Sequence, residues 1–134
     1  MAFGRRSKWG NKKVVYDGIT FDSAKEKDRY ITLCWRQQQG IISNLQTQVE
    51  YIVIPHLYTM QTKVLKTKTK QVQRTFATAT KYIADFIYND QNGNMVVEDV
   101  KGSKATITPE FRLKQKLMKH IYNIEVKIVF NPNE

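Results

Sequence analysis

The chain has 134 residues, with 22 Lys and Arg against 12 Asp and Glu, a formal net charge of +10 on an ordinary apolar fraction of 41%. That length has room for one core but not two, and the positive surplus points to a polyanionic partner, most simply nucleic acid. A single Cys34 excludes an internal disulfide and a cysteine-cluster zinc site, and no apolar run approaches a membrane span.

Residues 1–13 carry Arg5, Arg6, Lys8, Lys12 and Lys13 with no acid, interleaved with Phe3 and Trp9. They read as a flexible basic tail that folds over a phosphate backbone when bound, or else as a solvated end. The tail lacks the apolar segment of a signal peptide, so the expectation is a cytoplasmic protein with no membrane partner. The rest, 14–134, is expected to be one domain.

VVYDGITF predicts a short hairpin about Asp17-Gly18, leading into a helix from Asp22 or Ser23 to a stop at Gly40. The helix stripe is expected to include Tyr30, Leu33 and Cys34, widened by Ile31 and Trp35. A turn back from Tyr30 puts Glu26 at the head of that stripe. Ser23-x-x-Glu26 also reads as a capping box, in which the Glu only bonds the Ser23 amide. QTQVEYIVIP next predicts a strand that Pro55 closes, with Gln48 and Glu50 on one face.

Residues 51–84 contain no acid. Within them, Lys63, Lys66, Lys68, Lys70 and Arg74 alternate with Thr and Val, which favours a long extended arm over a helix. Such an arm suits a grip on phosphates, or a contact between two copies.

KYIADFIYNDQNGNMVVEDVKG, from Lys81 to Gly102, reads as a hairpin turning at Asn92-Gly93. Alternation puts Ile83, Asp85 and Ile87 on one side of the first arm, and Val97, Asp99 and Lys101 on one side of the second. If the paired arms present those sides together, Asp85, Asp99 and Lys101 converge. Two adjacent carboxylates repel unless a cation separates them, and a hard divalent ion such as Mg²⁺ takes oxygen ligands of this kind. The competing reading is a surface Asp99–Lys101 ion pair, with Asp85 matched to an arginine. Alternation also favours Asp99 over Glu98 as the converging acid, because Glu98 projects away from Lys101.

Thr108-Pro109 then gives an N-cap and first-turn proline for a helix running to about Tyr122, with a stripe of Leu113, Leu117 and Ile121 beside Phe111 and Met118. Arg112, Lys114 and Gln115 in its first turns fall near the end of the Lys101 strand. A final strand is expected from Ile124 to Phe130. The fold class is therefore α/β with a mixed sheet, in the order helix, strand, strand, strand, helix, strand, and with a parallel crossover at the end.

An apolar-flanked Asp85, a turn, and a strand ending in Asp99-Val100-Lys101 resembles the PD-(D/E)XK nuclease signature. YIADF followed by VVEDVKG is similar to phage-encoded members of that superfamily and, more distantly, to Holliday-junction-resolving endonucleases. Ala84 stands where the proline of the signature is usual. The resemblance implies a restriction-endonuclease-like αβββαβ core bearing a basic tail and arm. It further implies metal ligation by Asp85, Asp99, Glu26 and the Val100 carbonyl, with Lys101 at the attacking water. Mg²⁺, or Mn²⁺ in its place, would then support hydrolysis of DNA phosphodiesters. Arg112 and Lys114, with the tail and arm cations, become candidate DNA contacts. The implied substrate is branched DNA met in recombination, and cutting both strands would call for a homodimer. A nickase or endonuclease of the same superfamily without junction preference is the alternative, as is a basic nucleic-acid-binding protein without catalysis.

Overall fold

The computed structural model describes residues 12–134, so the tail contacts expected of Arg5, Arg6 and Lys8 lie outside the described residues. Strands β1 (Val14–Tyr16) and β2 (Ile19–Phe21) form the expected hairpin. Asp17 and Gly18 at its turn both have positive φ, 53° and 73°, the conformation that Asp-Gly adopts at least cost. Helix α1 (Ala24–Gln38) starts where the Ser23 hydroxyl accepts the Glu26 amide at 3.1 Å, and Gly40 at φ 75° turns the chain away.

The buried line of α1 is Glu26, Arg29 and Leu33. Ile31 and Trp35, expected to widen the apolar stripe, are instead exposed, Trp35 at 56%. Helix geometry gives the reason: each residue turns about 100°, so positions two either side of Leu33 point roughly 160° away from it.

Strand β3 (Ser43–Ile54) is followed by β4 (Leu57–Val64), β5 (Thr69–Ala77), β6 (Thr80–Asn89) and β7 (Met95–Val100). Helix α2 (Pro109–Tyr122) and strand β8 (Lys127–Val129) complete the chain. A four-stranded sheet has the order β3-β6-β7-β8. Its first two pairings are antiparallel, and β7 and β8 run parallel across α2. The chain is thus an α+β fold with a mixed sheet and two helices. Strands β4 and β5 pair with each other in a separate two-stranded ribbon, the expected arm.

On β7 the side chains alternate between two cores. Val97 joins the cluster of Val53, Tyr82, Phe111 and Met118, while Val96 and Val100 pack against the cluster of Phe21, Leu33, Phe86 and Tyr88. The two helices therefore cover opposite faces of the sheet. Helix α2 begins as expected, with Thr108 accepting the Phe111 amide at 3.1 Å and Pro109 in its first turn. It buries Phe111 and Met118, whereas Leu113 and Ile121 of the expected stripe are exposed. Leu113, two positions from Phe111, points to the far side once Phe111 is seated against Tyr82.

The last strand is shorter than expected. Residues 124–126 are held by α2 instead, through the Gln115 amide on the Val126 carbonyl at 3.2 Å and Lys119 on Glu125 at 3.2 Å. Among the described residues no helix is long and apolar enough to cross a membrane.

Candidate active site

Strand β7 sends its two consecutive acids to opposite faces. Glu98 is fully buried on the α1 side, where Arg29 donates through Nε and Nη2 to its two oxygens at 2.9 and 2.6 Å. The Tyr88 hydroxyl adds a third bond at 2.5 Å. A buried carboxylate met by a guanidinium fork is fully satisfied, so Glu98 is a structural acid. Arg29 also donates to the carbonyls of Pro132 and Glu134, fastening the last residues to α1. Asp99 faces the other way, as alternation requires.

Asp99 is 6% exposed. Its Oδ2 accepts the Tyr82 hydroxyl at 2.9 Å and its Oδ1 lies 3.1 Å from Lys101 Nζ. That ammonium sits 4.1 Å from the centre of the Phe111 ring, which holds it by cation–π attraction. Asp85, on β6, accepts the Val100 amide at 2.7 Å through Oδ2. Its position is irregular for a strand. Ladder pairs Thr47↔Phe86 and Val49↔Ala84 flank Asp85 and Gln48, and Gln48 has φ 53°. The β6 side chains also change sides there: Tyr82 meets Phe111 on the α2 side, while Phe86 stacks near Tyr30 on the α1 side. Broken alternation of this sort re-aims one side chain, and the one re-aimed is Asp85.

Glu26 comes from the first turn of α1 and is 5% exposed. The Ser23 hydroxyl accepts the Glu26 amide, and among the described residues the Glu26 carboxyl does not bond back to the Ser23 amide. Ser23 thus caps the helix while Glu26 stays available to the cleft.

A cleft of about 560 Å³ is lined by Glu26, Asp85, Asp99, Val100 and Lys101, with Asp22 and Lys25 beside them. A second, of about 400 Å³, shares Glu26 and Asp85 and adds Lys13, Gln48 and Glu50. A third, of about 280 Å³, shares Asp99 and Lys101 and adds Lys81 and Lys114. Shared walls make these one groove, acidic at its middle and toward the Gln48 end, where Asp22 and Glu50 outnumber Lys13, and basic at the α2 end, where Lys81 and Lys114 stand beside Glu110.

The charges explain the titration. Burial, then the charges of Asp99 and Glu26, push Asp85 well above the usual carboxylate range. Burial likewise raises Asp99, against the opposing pull of Lys101 and Tyr82. Glu26 is pushed up to about 7, by burial first and then by Asp22 and Asp99. Three carboxyls from three elements thus crowd one space, with Lys101 in contact with Asp99 and its charge also felt by Asp85 and Glu26.

All the acidic donors are hard oxygens, which suits Mg²⁺ or Mn²⁺ in kind. Among the described residues, however, no three His, Cys, Asp or Glu side chains stand close enough to enclose an ion. Both Asp99 oxygens are engaged by Lys101 and Tyr82, and one Asp85 oxygen by Val100.

Of the residues expected at the site, Asp85, Asp99, Val100, Lys101 and Glu26 meet in one cleft, and Lys13 and Lys114 line its extensions. Arg112 does not join them. It donates to Gln115 at 3.3 Å and lines a different cleft on α2 with Lys116 and His120. Lys63, Lys66, Lys68, Lys70 and Arg74 stand on the exposed arm and its tip, and Lys12 is exposed ahead of β1. Asp22, Lys25, Tyr82 and Arg29 were not foreseen. Asp22 carried a usable signal, since it stands one helical turn before Glu26.

Residues 6–131 match a family model described as "Protein of unknown function (DUF1064)". No curated protein and no solved structure matches the chain.

Proposed function

The chain belongs to the DUF1064 family of proteins of unknown function, and from the geometry of its cleft we propose that it is a divalent-metal-dependent DNA endonuclease. One observation carries the reading: Glu26, Asp85 and Asp99, from three different elements, converge with Lys101 on one groove. A surface ion pair would not need three mutually repelling buried carboxyls. The element order, with α1 before β3, β6 and β7 and α2 before β8, is compatible with the PD-(D/E)XK core, the β4–β5 arm being an insertion in it.

In this reading Asp85, Asp99, Glu26 and the Val100 carbonyl would hold the ion only after drawing together from their present spacing and freeing Asp99 from Lys101. A bound ion supplies a water of lowered pKa and a counter-charge for the phosphate. The chain's own residues do the rest. Tyr82 and the Val100 amide fix the two aspartates, each by one hydrogen bond to one oxygen. Lys101, steadied on Phe111, donates from Nζ to the attacking water or to a phosphate oxygen. Glu26, raised to about 7 in the metal-free chain by burial and its acidic neighbours, would give up its proton as the ion binds, so binding should strengthen as pH rises through that value. Lys13, together with Lys81 and Lys114 once drawn from their pairs with Glu50 and Glu110, would meet phosphates of the strand entering and leaving the groove. The preferred substrate is branched DNA of the Holliday-junction kind, cut by a homodimer that brings two such grooves to one junction.

A second reading, a DNA-binding protein without catalysis, is favoured by the closed Asp99–Lys101 pair and by the spacing of the three acids, which is too wide to enclose an ion. Incubating the protein with four-way, flap, linear duplex and single-stranded DNA, in Mg²⁺ and in EDTA, separates the two. Mg²⁺-dependent paired cuts at the junction are expected, and a single nick in plain duplex would indicate a nuclease without junction preference. Retention of every DNA without a cut would leave only the binding module.

A further inference from the structure

The β4–β5 arm has no core to fold onto: every residue of β4 is exposed, and on β5 only Val72 and Ala77 are partly covered. What its two faces carry is therefore not set by packing. The register pairs Lys63 with Lys70 and Thr59 with Arg74, and alternation puts all three cations on one face. The opposite face carries Tyr58, Met60, Thr62, Gln71 and Gln73 and no charged side chain. Like charges directly opposite on a ribbon, as at Lys63 and Lys70, destabilise it unless an anion lies across them. At the foot of the arm the ladder slips between the Leu57 and Tyr58 pairs. The extra residue is Phe76, 73% exposed. A bulge that aims an aromatic ring into solvent beside a cationic face is the combination that binds unpaired nucleotides, phosphates on the cations and a base on the ring.

We infer that the arm is a one-sided DNA clamp, with Lys63, Lys70 and Arg74 along the backbone and Phe76 stacked on an unpaired base. The DNA that fits has unstacked bases next to duplex, as at a branch point or a single-stranded flank. That this DNA is also the one cut rests on the nuclease reading above; that it is bound does not.

The test is fluorescence anisotropy of the full chain in EDTA, where nothing is cut, over a salt series. The probes are a dye-labelled four-way junction, a linear duplex and an oligothymidylate strand. The triple variant Lys63→Ala, Lys70→Ala, Arg74→Ala should weaken all three and flatten the log–log salt slope on duplex by about 3, near 0.9 per phosphate contact. The opposite-face triple Thr62→Ala, Gln71→Ala, Gln73→Ala should stay within about twofold. Phe76→Ala should lose roughly tenfold on junction and single strand and under about twofold on duplex. Phe76→Leu should lose as much, because leucine keeps the apolar contact but not the ring.

Equal losses from the two triples would overturn the one-sided clamp. So would a Phe76→Ala loss that is uniform across the three DNAs, or full affinity in Phe76→Leu. If the face pattern holds while wild type never cuts in Mg²⁺, the nuclease reading falls and the clamp stands. The reverse pattern, cutting without face or ring dependence, removes the clamp alone.

Discussion

At the scale of single residues, two acids on neighbouring strands, Glu98 on β7 and Asp85 on β6, do opposite things to stability. Glu98 is matched by Arg29 and Tyr88, so removing one partner leaves a buried charge unpaired. Arg29→Met is expected to cost about 3–5 kcal/mol in urea unfolding. Asp85 is held unmatched, its carboxyl raised by burial and by Asp99 and Glu26. Asp85→Asn should therefore raise the Tm in EDTA at pH 8, and a lower Tm would contradict the repulsion described. Glu26 gives the pH dependence. Its folded-state pKa of about 7 lies above the ordinary 4.5, so between those values the folded state holds a proton that the unfolded chain has released. Stability must then fall as pH rises from about 4.5 to about 7, by up to roughly 3 kcal/mol, at about 1.4 kcal/mol for each tenfold change in proton affinity. Unfolding in EDTA across that range should show the decline, shallower in Glu26→Gln. An unchanged slope in the variant would remove Glu26 as its source.

At the scale of elements, what could be read in advance was what depends on local chemistry. The Asp17-Gly18 turn, the Ser23 start and Gly40 stop of α1, the Thr108-Pro109 start of α2 and the Glu98/Asp99 alternation follow from backbone preferences of the residues themselves. Which helix face is buried does not follow from them. On α1 the chosen line is led by Glu26 and Arg29, which count as polar in any pattern yet are buried because Glu98 and the cleft lie opposite. The irregularity that aims Asp85 arises from Gln48 on another strand, and no signal within YIADF announces it. The arm is separable, being built on its own ladder. Joining β3 to β6 through a two-residue Asn-Gly turn in place of 57–77 should leave the Tm within a few degrees while lowering DNA affinity. A collapse of the fold would show that the arm supports the core.

At the scale of the whole molecule, the formal net charge of +10 surrounds a groove whose centre is acidic. A polyanion is thus drawn to the surface and repelled from the middle until a cation neutralises the carboxyls. Divalent ions should therefore raise DNA affinity at low concentration even though they screen the surrounding cations, an effect readable by anisotropy with a non-cutting variant. The most direct test of the central claim is cleavage of a labelled four-way junction by wild type, Asp85→Asn and Asp99→Asn in Mg²⁺. The prediction is cutting by wild type, abolished by EDTA, and none by either variant although both still bind the junction. Cutting by the variants at the wild-type rate, or none by wild type in Mg²⁺ or Mn²⁺, would contradict it.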